Sequence, residues 1–373
     1  MKIAFISTIL DYPWGGADTL WTRAAEEAIE RGNDLLLSVS PSVATYPRVA
    51  ALCRSGAKLH ERPQPLRAAS LGARLSGKMR RLAGHGRDGL VVVMESFKPD
   101  LVIISLGGTY DLIHHAEWVD WLKKTSTPFR LIANWQAENP VLTETERAIA
   151  RHLLTTAERI FFVSRRNMEA TRRHLLEPLL HAQVIQNPLR WHPSDVAPWP
   201  DAPLNAQLAV VSRLDESKGI QLLLHALAAQ SATTNWRLNI YGRGPAEAYL
   251  RLTAEHLQLH SNTCFRGYVK DLRPIWAENQ LLVSPSIEDG VPMTIPEAML
   301  CERPVLSTDV GGASDWIRHG ETGYICPAPT LRLLTEALST ALTSRDRWPQ
   351  MGRAGADIAG AKYRPKDYLQ VLG

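Results

Sequence analysis

Short apolar runs alternate with amphipathic stretches along the whole chain. Lys2–Thr8, Asp34–Val39, Leu101–Ser105, Phe129–Ala133, Arg159–Val163 and Gln183–Ile185 have the length and the near-continuous apolar character of buried strands. Between them lie stretches such as Asp18–Arg31 and Asn167–Leu176, whose apolar positions recur at helical spacing. A proline-rich stretch without period runs from Asn187 to Pro203, and the alternation then restarts. Its runs are Gln207–Val211, Arg237–Tyr241, Thr263–Phe265, Leu281–Val283, Pro304–Ser307 and Gly323–Ile325. Strands that are apolar on both faces and separated by helices make parallel sheets covered on both sides. The pattern therefore predicts an α/β protein of two Rossmann-like, doubly wound domains facing across a cleft. The boundaries expected are 1–188 for the first domain, 189–204 for a linker and 205–355 for the second, followed by a C-terminal segment, 356–373.

Length agrees with this division, because 373 residues exceed one ordinary core. No apolar run approaches a membrane span. The start, Met1–Ser7, reads as a strand and not as a secretion leader. Cys53, Cys264, Cys301 and Cys326 are scattered, without metal or redox spacing, and the expectation is free thiols in the cytoplasm. The net charge of +4 is mild and comes with no nucleic-acid-binding motif, so no nucleic-acid partner is expected. One segment departs from the average. Residues 62–87 carry Arg62, Arg67, Arg74, Lys78, Arg80, Arg81 and Arg87 and no acid, with Leu71, Leu75, Met79 and Leu82 on one helical face. That pattern fits a core-facing helix and also a peripheral contact with an anionic membrane.

The candidate chemistry collects where strands end. After Leu281–Val283 the chain reads Ser284-Pro285-Ser286-Ile287-Glu288-Asp289-Gly290-Val291-Pro292-Met293-Thr294-Ile295-Pro296-Glu297: a strand, a loop with carboxylates and a helix opening at Thr294. Thr294 and Glu297 have capping-box spacing, so Glu297 reads either as a helix cap or as a ligand group, and Asp289 as a solvated loop acid or a ligand group. Arg213-Leu214-Asp215-Glu216-Ser217-Lys218-Gly219 joins a strand to a helix and sets two cations beside free backbone N–H groups, which suits a diphosphate. Tyr241-Gly242-Arg243-Gly244-Pro245 and Val310-Gly311-Gly312 are tight turns at further strand ends. In the first half, Trp14-Gly15-Gly16 precedes a helix and lets backbone approach an anion, or is a plain turn. Asn134 and Gln136 end the strand from Phe129 as candidate cleft residues. His114 and His115 are adjacent, cannot share a ligand on a helix, and are read as structural.

In this order and spacing the motifs resemble glycosyltransferase family 4, retaining enzymes of the GT-B fold, over nearly the whole chain. The resemblance implies transfer of a sugar from a nucleoside-diphosphate sugar to an acceptor (a glycan, a lipid-linked or a small molecule) with retention of configuration. It gives Arg213 and Lys218 to the donor phosphates, and Asp289 and Glu297 to the family's Glu-x7-Glu motif, with the donor sugar and the ribose respectively. Gly15, Gly16, Gly242, Arg243, Tyr268, Val269, Gly290, Val291, Pro292, Met293 and Thr294 join the donor site, and Tyr268-Val269 matches the base-contacting segment. Trp14, Asn134 and Gln136 are acceptor-side candidates. The resemblance also implies that the last segment crosses back to the first domain. No Asp-x-Asp pair is spaced for a divalent cation, so no metal or cofactor is expected. Three positions depart from the family: Asp289 stands for Glu, Asn134 stands where many members have histidine, and Glu302 replaces the glycine after Cys301. The second leaves open a catalytically weak or inactive sugar-nucleotide-binding protein of the same fold. The nucleotide, sugar, acceptor and oligomeric state are not specified by the residues.

Overall fold

The computed structural model describes residues 1–9, 15–63, 89–200, 204–230 and 235–373. Trp14 and nearly all of the basic segment 62–87 lie outside these residues. Among the described residues, no helix is long and apolar enough to cross a membrane. The chain divides into two compact units.

The first unit comprises Met1–Val163, Asn167–Pro188 and Lys366–Gly373. Its strands are β1 (Lys2–Ser7), β2 (Asp34–Val39), β3 (Lys58–Glu61), β4 (Leu101–Gly108), β5 (Phe129–Trp135), β6 (Arg159–Phe162) and β7 (Ala182–Val184). They form one parallel sheet in the order β3-β2-β1-β4-β5-β6-β7. The strand order reverses between β1 and β4, and such sheets bind ligands beyond the carboxyl ends at that point. Ile3, Ala4, Phe5 and Ile6 are all buried, as covering both faces of the sheet requires. The helix Gly16–Glu30 buries Leu20, Trp21, Ala24, Ala25 and Ala28. Strand β3 does not follow from the apolar pattern. Its sequence, Lys58-Leu59-His60-Glu61, is largely exposed, because an edge strand buries little and is held mainly by its backbone pairing to β2.

The second unit comprises Ser164–Arg166 and Leu189–Pro365. Its strands are β8 (Ala206–Val211), β9 (Trp236–Tyr241), β10 (Thr263–Gly267), β11 (Leu281–Ser284), β12 (Val305–Thr308) and β13 (Gly323–Cys326). They too are parallel, in the order β10-β9-β8-β11-β12-β13, with the reversal between β8 and β11.

The second unit resumes at Leu189 and runs to Pro365. Residues 189–200, within the stretch expected as a linker, belong to the second unit. Ala197 is buried, and Leu189 and Trp191 pack on the same apolar cluster. Arg303, which is fully buried, donates to the carbonyls of Ala197 (3.2 Å) and Pro198 (2.8 Å). Residue 356 falls inside a continuous helix, Trp348–Lys362, that buries Met351, Gly355 and Ala359. Only Lys366–Gly373 belongs to the first unit. There Arg130 Nη1 donates to Val371 O at 2.9 Å and the Gln186 N–H to Asp367 Oδ2 at 3.0 Å.

Glu302, where the family resemblance expects glycine, takes a left-handed backbone with φ +61°. It follows the C-cap of the helix Thr294–Leu300, a position whose geometry suits glycine because a Cβ there is strained.

Candidate functional site

The loops after β8 and β11 flank the strand-order reversal of the second unit. After β8, Asp215 caps a short turn, Glu216–Lys218: its Oδ1 accepts from Ser217 N (3.0 Å) and from Ser217 Oγ. Its Oδ2 accepts from Arg213 Nε at 2.6 Å. Burial would raise this carboxyl, but the Ser217 and Arg213 bonds and the nearby charge of Lys218 outweigh it and hold Asp215 below the usual aspartate range. Arg213 is thereby fixed in direction at the carboxyl end of β8.

The two loops are joined through backbone. Ile287 N and Glu288 N donate to Ser217 O at 2.7 and 3.2 Å. Gly219, at φ +62°, lies against the other loop; a Cβ there would sit 2.0 Å from Pro285 O, so no other residue fits. The loop after β12 closes from the other side. Gly312 N donates to Gly290 O at 2.9 Å, and a Cβ on Gly311 would lie 2.4 Å from Asp289 O. The Thr308 hydroxyl donates to Ser286 O at 2.6 Å. Asp289 and Gly290 are thus held on both flanks. The Asp289 carboxylate receives Lys218 Nζ at 2.6 Å and Ser286 Oγ at 3.4 Å, both ends of the ion pair being mostly buried. Its neighbour Glu288 is exposed.

The helix Thr294–Leu300 has Met293 as its N-cap and no side-chain capping bond. Glu297 does not complete a capping box with Thr294. Its side chain is 2% exposed, and a carboxylate so buried needs cationic or N–H partners. Arg190 supplies them: backbone N to Oε1 (3.1 Å), Nε to Oε1 (3.3 Å) and Nη2 to Oε2 (3.1 Å). Sequence reading passed over Arg190. It stands in the aperiodic stretch 107 residues from its partner, and no local spacing signals such a pair.

The other residues expected at a donor site lie on the neighbouring loops of the second unit. Arg243 is exposed, and its carbonyl accepts from Leu214 N at 3.0 Å, tying the Gly242-Arg243-Gly244 turn after β9 to the β8 loop. Tyr268, after β10, is 62% exposed, while Val269 packs partly on the core. Pro292 is buried, and Val291, Met293 and Thr294 are half-buried. Among the described residues, no group of three or more His, Cys, Asp or Glu side chains is placed to hold a metal ion.

In the first unit, Gly15 and Gly16 open the helix after β1, but the Gly15 N–H is engaged by Asp18 Oδ2 at 3.3 Å. Burial raises the Asp18 carboxyl from 3.8 to about 6, although the Gly15 N–H and the Trp21 indole N–H oppose the shift. The folded chain therefore holds this proton more tightly than the unfolded chain. The stability it contributes is complete below the unfolded pKa and is lost as pH rises from about 4 through about 6. At pH 7.5 Asp18→Asn is expected to raise the unfolding free energy by about 1–3 kcal/mol. At pH 4.5 it should change little, as thermal melts at the two pH values would show; equal shifts at both would contradict the assignment.

Asn134 Nδ2 donates to Leu106 O (2.8 Å) and Ser105 Oγ (3.2 Å), and Gln136 Nε2 to Ala137 O (3.0 Å). The carbonyl partners fix both amide orientations, which leaves Asn134 Oδ1 and Gln136 Oε1 buried without a donor. Asp111, not singled out in the sequence, lies at the end of β4. It accepts from the Thr8 hydroxyl (2.6 Å) and Gly108 N (3.0 Å), and burial raises its carboxyl. His115 stacks on Trp118, with ring centroids 3.9 Å apart.

Comparison with known proteins places these loops in context. Residues 205–344 match the family described as Glycosyl transferases group 1. Over 131 residues the chain is 34% identical to an exopolysaccharide phosphotransferase of Streptomyces coelicolor, covering 34% of this chain and 14% of that one. Over 154 residues it is 27% identical to the N-acetyl-alpha-D-glucosaminyl L-malate synthase of Bacillus anthracis, covering 41% and 40%. The chain thus spans less than half the length of these curated relatives. Among solved structures, Anabaena HepE in complex with UDP superposes with a TM-score of 0.74 at 18% identity, covering 100% of this chain and 98% of that one. The fold, two parallel-sheet α/β domains, is that of the GT-B glycosyltransferases.

Proposed function

We propose that this protein is a glycosyltransferase that moves a sugar from a nucleoside-diphosphate sugar to an acceptor hydroxyl, with retention of configuration and without a metal ion. The observation that carries the proposal is the Lys218–Asp289 pair at the strand-order reversal of the second unit. A cation suited to a diphosphate and an acid suited to sugar hydroxyls meet on two loops that are bonded to each other. The match of residues 205–344 to Glycosyl transferases group 1 supports the reading, and the UDP complex of the HepE neighbour supports a uridine nucleotide as donor.

The chemistry follows from these groups. The donor diphosphate lies against Arg213 and Lys218, and as the glycosidic bond breaks, negative charge grows on its leaving oxygen. Cations already aimed at that oxygen stabilise the transition state more than the bound donor. Asp215 keeps Arg213 pointed. Lys218 divides its N–H groups between the phosphate and Asp289, and Asp289 turns its other oxygen to the sugar hydroxyls. Asn134 and Gln136 remain the acceptor-side candidates of this reading. The cytoplasmic location and a membrane contact through residues 62–87 belong to this proposal as well.

The test is transfer from a panel of nucleotide sugars by the wild type and two acid variants. Asp289→Ala should lower transfer by about one to two orders of magnitude, the loss of a buried hydroxyl contact, while free nucleoside diphosphate binding changes little. Glu288→Ala should be milder, because Glu288 is exposed. A silent Asp289→Ala beside a damaging Glu288→Ala would overturn the assignment of the sugar-contacting acid.

A further inference from the structure

Hydrogen-bond donors and acceptors do not balance at the strand-order reversal of the first unit. Thr8, just after β1, and Asp111, just after β4, meet across that reversal. The Thr8 hydroxyl and Gly108 N both donate to Asp111 Oδ2, at 2.6 and 3.0 Å. Among the described residues no hydrogen bond reaches Oδ1, and no lysine or arginine pairs with this carboxyl. Glycine at 108 keeps Oδ1 uncrowded, since a Cβ there would stand 2.9 Å from it. At the end of the neighbouring β5, Asn134 and Gln136 are 8% and 7% exposed, and Asn134 Oδ1 and Gln136 Oε1 also lack a donor. The side-chain donors here are spent inside the protein. The Thr109 hydroxyl donates to Trp135 O (3.0 Å), and the two amide groups donate to Leu106 O, Ser105 Oγ and Ala137 O. What is left over is a set of oxygen acceptors.

We propose that the ends of β1, β4 and β5 select a neutral, polyhydroxylated acceptor over an acidic one, and that Asp111 is the residue that receives the acceptor's hydroxyl. The inference rests on the glycosyltransferase reading and deepens it by naming the class of acceptor. Strand ends at such a reversal are where a parallel sheet takes its ligand. Buried oxygens without donors cost free energy until a donor reaches them. A hydroxyl is such a donor, and a sugar ring carries several. A phosphate or carboxylate brings only further acceptors and sets its own charge against that of Asp111. Burial already raises the Asp111 carboxyl, as expected of an acid short of partners. A site for an acid would present a cation, as Arg213 and Lys218 do in the second unit. Arg62, the buried cation beside β1 and β2, is instead turned to backbone and donates to Ser38 O and Ser7 O.

The experiment measures transfer from UDP-glucose, UDP-N-acetylglucosamine and GDP-mannose to matched acceptor probes, by the wild type, Asp111→Asn and Asp111→Ala. The probes are glucose against glucose 6-phosphate and glycerol against glycerol 3-phosphate. The wild type is expected to use each neutral probe with a kcat/KM at least about tenfold above that of its phosphorylated counterpart. Asp111→Asn puts an amide where the carboxylate stood. It should raise KM for the neutral probes about 10- to 100-fold and narrow the preference, with Asp111→Ala alike. Calorimetric affinity for the nucleoside diphosphate should change less than about threefold in both variants. An unchanged KM for the neutral probes in folded Asp111→Asn would make Asp111 a brace for the loop only and overturn the inference. A wild type that uses the phosphorylated probes as well as the neutral ones, or none of the neutral ones, would overturn it even if both variants failed to fold. No binding of UDP, GDP or ADP by the wild type would instead overturn the glycosyltransferase reading beneath it.

Discussion

Replacing Lys218 with alanine is expected to lower kcat/KM for sugar transfer by about 30- to 1000-fold, and Arg213→Ala by a similar factor. Each substitution removes a charge-assisted contact to a leaving group whose charge peaks in the transition state, an effect of about 2–4 kcal/mol. The Lys218 case has a second component. Asp289 loses the ammonium at 2.6 Å that neutralises it, and a part-buried carboxylate then stands beside the donor phosphates. Lys218→Ala should therefore weaken binding of the free nucleoside diphosphate as well as turnover. Arg213→Ala leaves Asp215 with its Ser217 contacts and should act mainly on kcat. Steady-state kinetics with each variant read this directly, and turnover at the wild-type rate in either would contradict the assignment.

The largest stability loss is expected at Arg303, which has no part in the proposed chemistry. This side chain is fully buried and has no carboxylate partner among its hydrogen bonds. Nε donates to Trp276 O (3.1 Å) and Asn279 O (3.0 Å), Nη1 to Cys301 O (2.6 Å), and Nη2 to the carbonyls of Ala197, Pro198 and Trp276. The guanidinium also lies 5.1 Å from the centre of the Trp199 ring. Burial pushes its pKa down to about 10, so it remains a cation at neutral pH. The carbonyls it satisfies lie at the C-terminal ends of the helices Arg273–Glu278 (Trp276, Asn279) and Thr294–Leu300 (Cys301) and in the stretch around Ala197. Arg303→Met keeps much of the volume but leaves those carbonyls buried and unpaired. A loss of about 3–5 kcal/mol in urea unfolding is expected, with Arg303→Lys intermediate. A loss below about 1 kcal/mol would mean that water replaces the guanidinium at little cost.

What the sequence revealed and what it hid follow from the range of each interaction. The apolar run Leu281–Val283 and the loop after it are local features, and the strand, loop and helix stand where the pattern placed them. Asp289 and Lys218, by contrast, are 71 residues apart, and their contact depends on the order of strands in the sheet. That order is written in no local pattern; the motifs suggested it only jointly. Glu297 shows the limit best. Thr294 and Glu297 carry the spacing of a capping box, yet the carboxylate turned to Arg190, because a buried charge gains more from a guanidinium and a backbone N–H than from one helix-end N–H. Arg303 was invisible for a related reason. Its partners are backbone carbonyls, which every residue has. Strand β3 was missed because an edge strand can be polar, and Glu302 gave its backbone strain away only through the glycine expected in its place.

The central claim is that the loops after β8 and β11 form a diphosphate site needing no metal ion. Its most direct test is calorimetric titration of UDP, GDP and ADP in a chelating buffer, into the wild type and Lys218→Ala. The account predicts that at least one nucleotide binds the wild type without added metal, and that Lys218→Ala weakens it about 30-fold or more. Binding that requires added magnesium or manganese, or equal affinity in the two proteins, would contradict it.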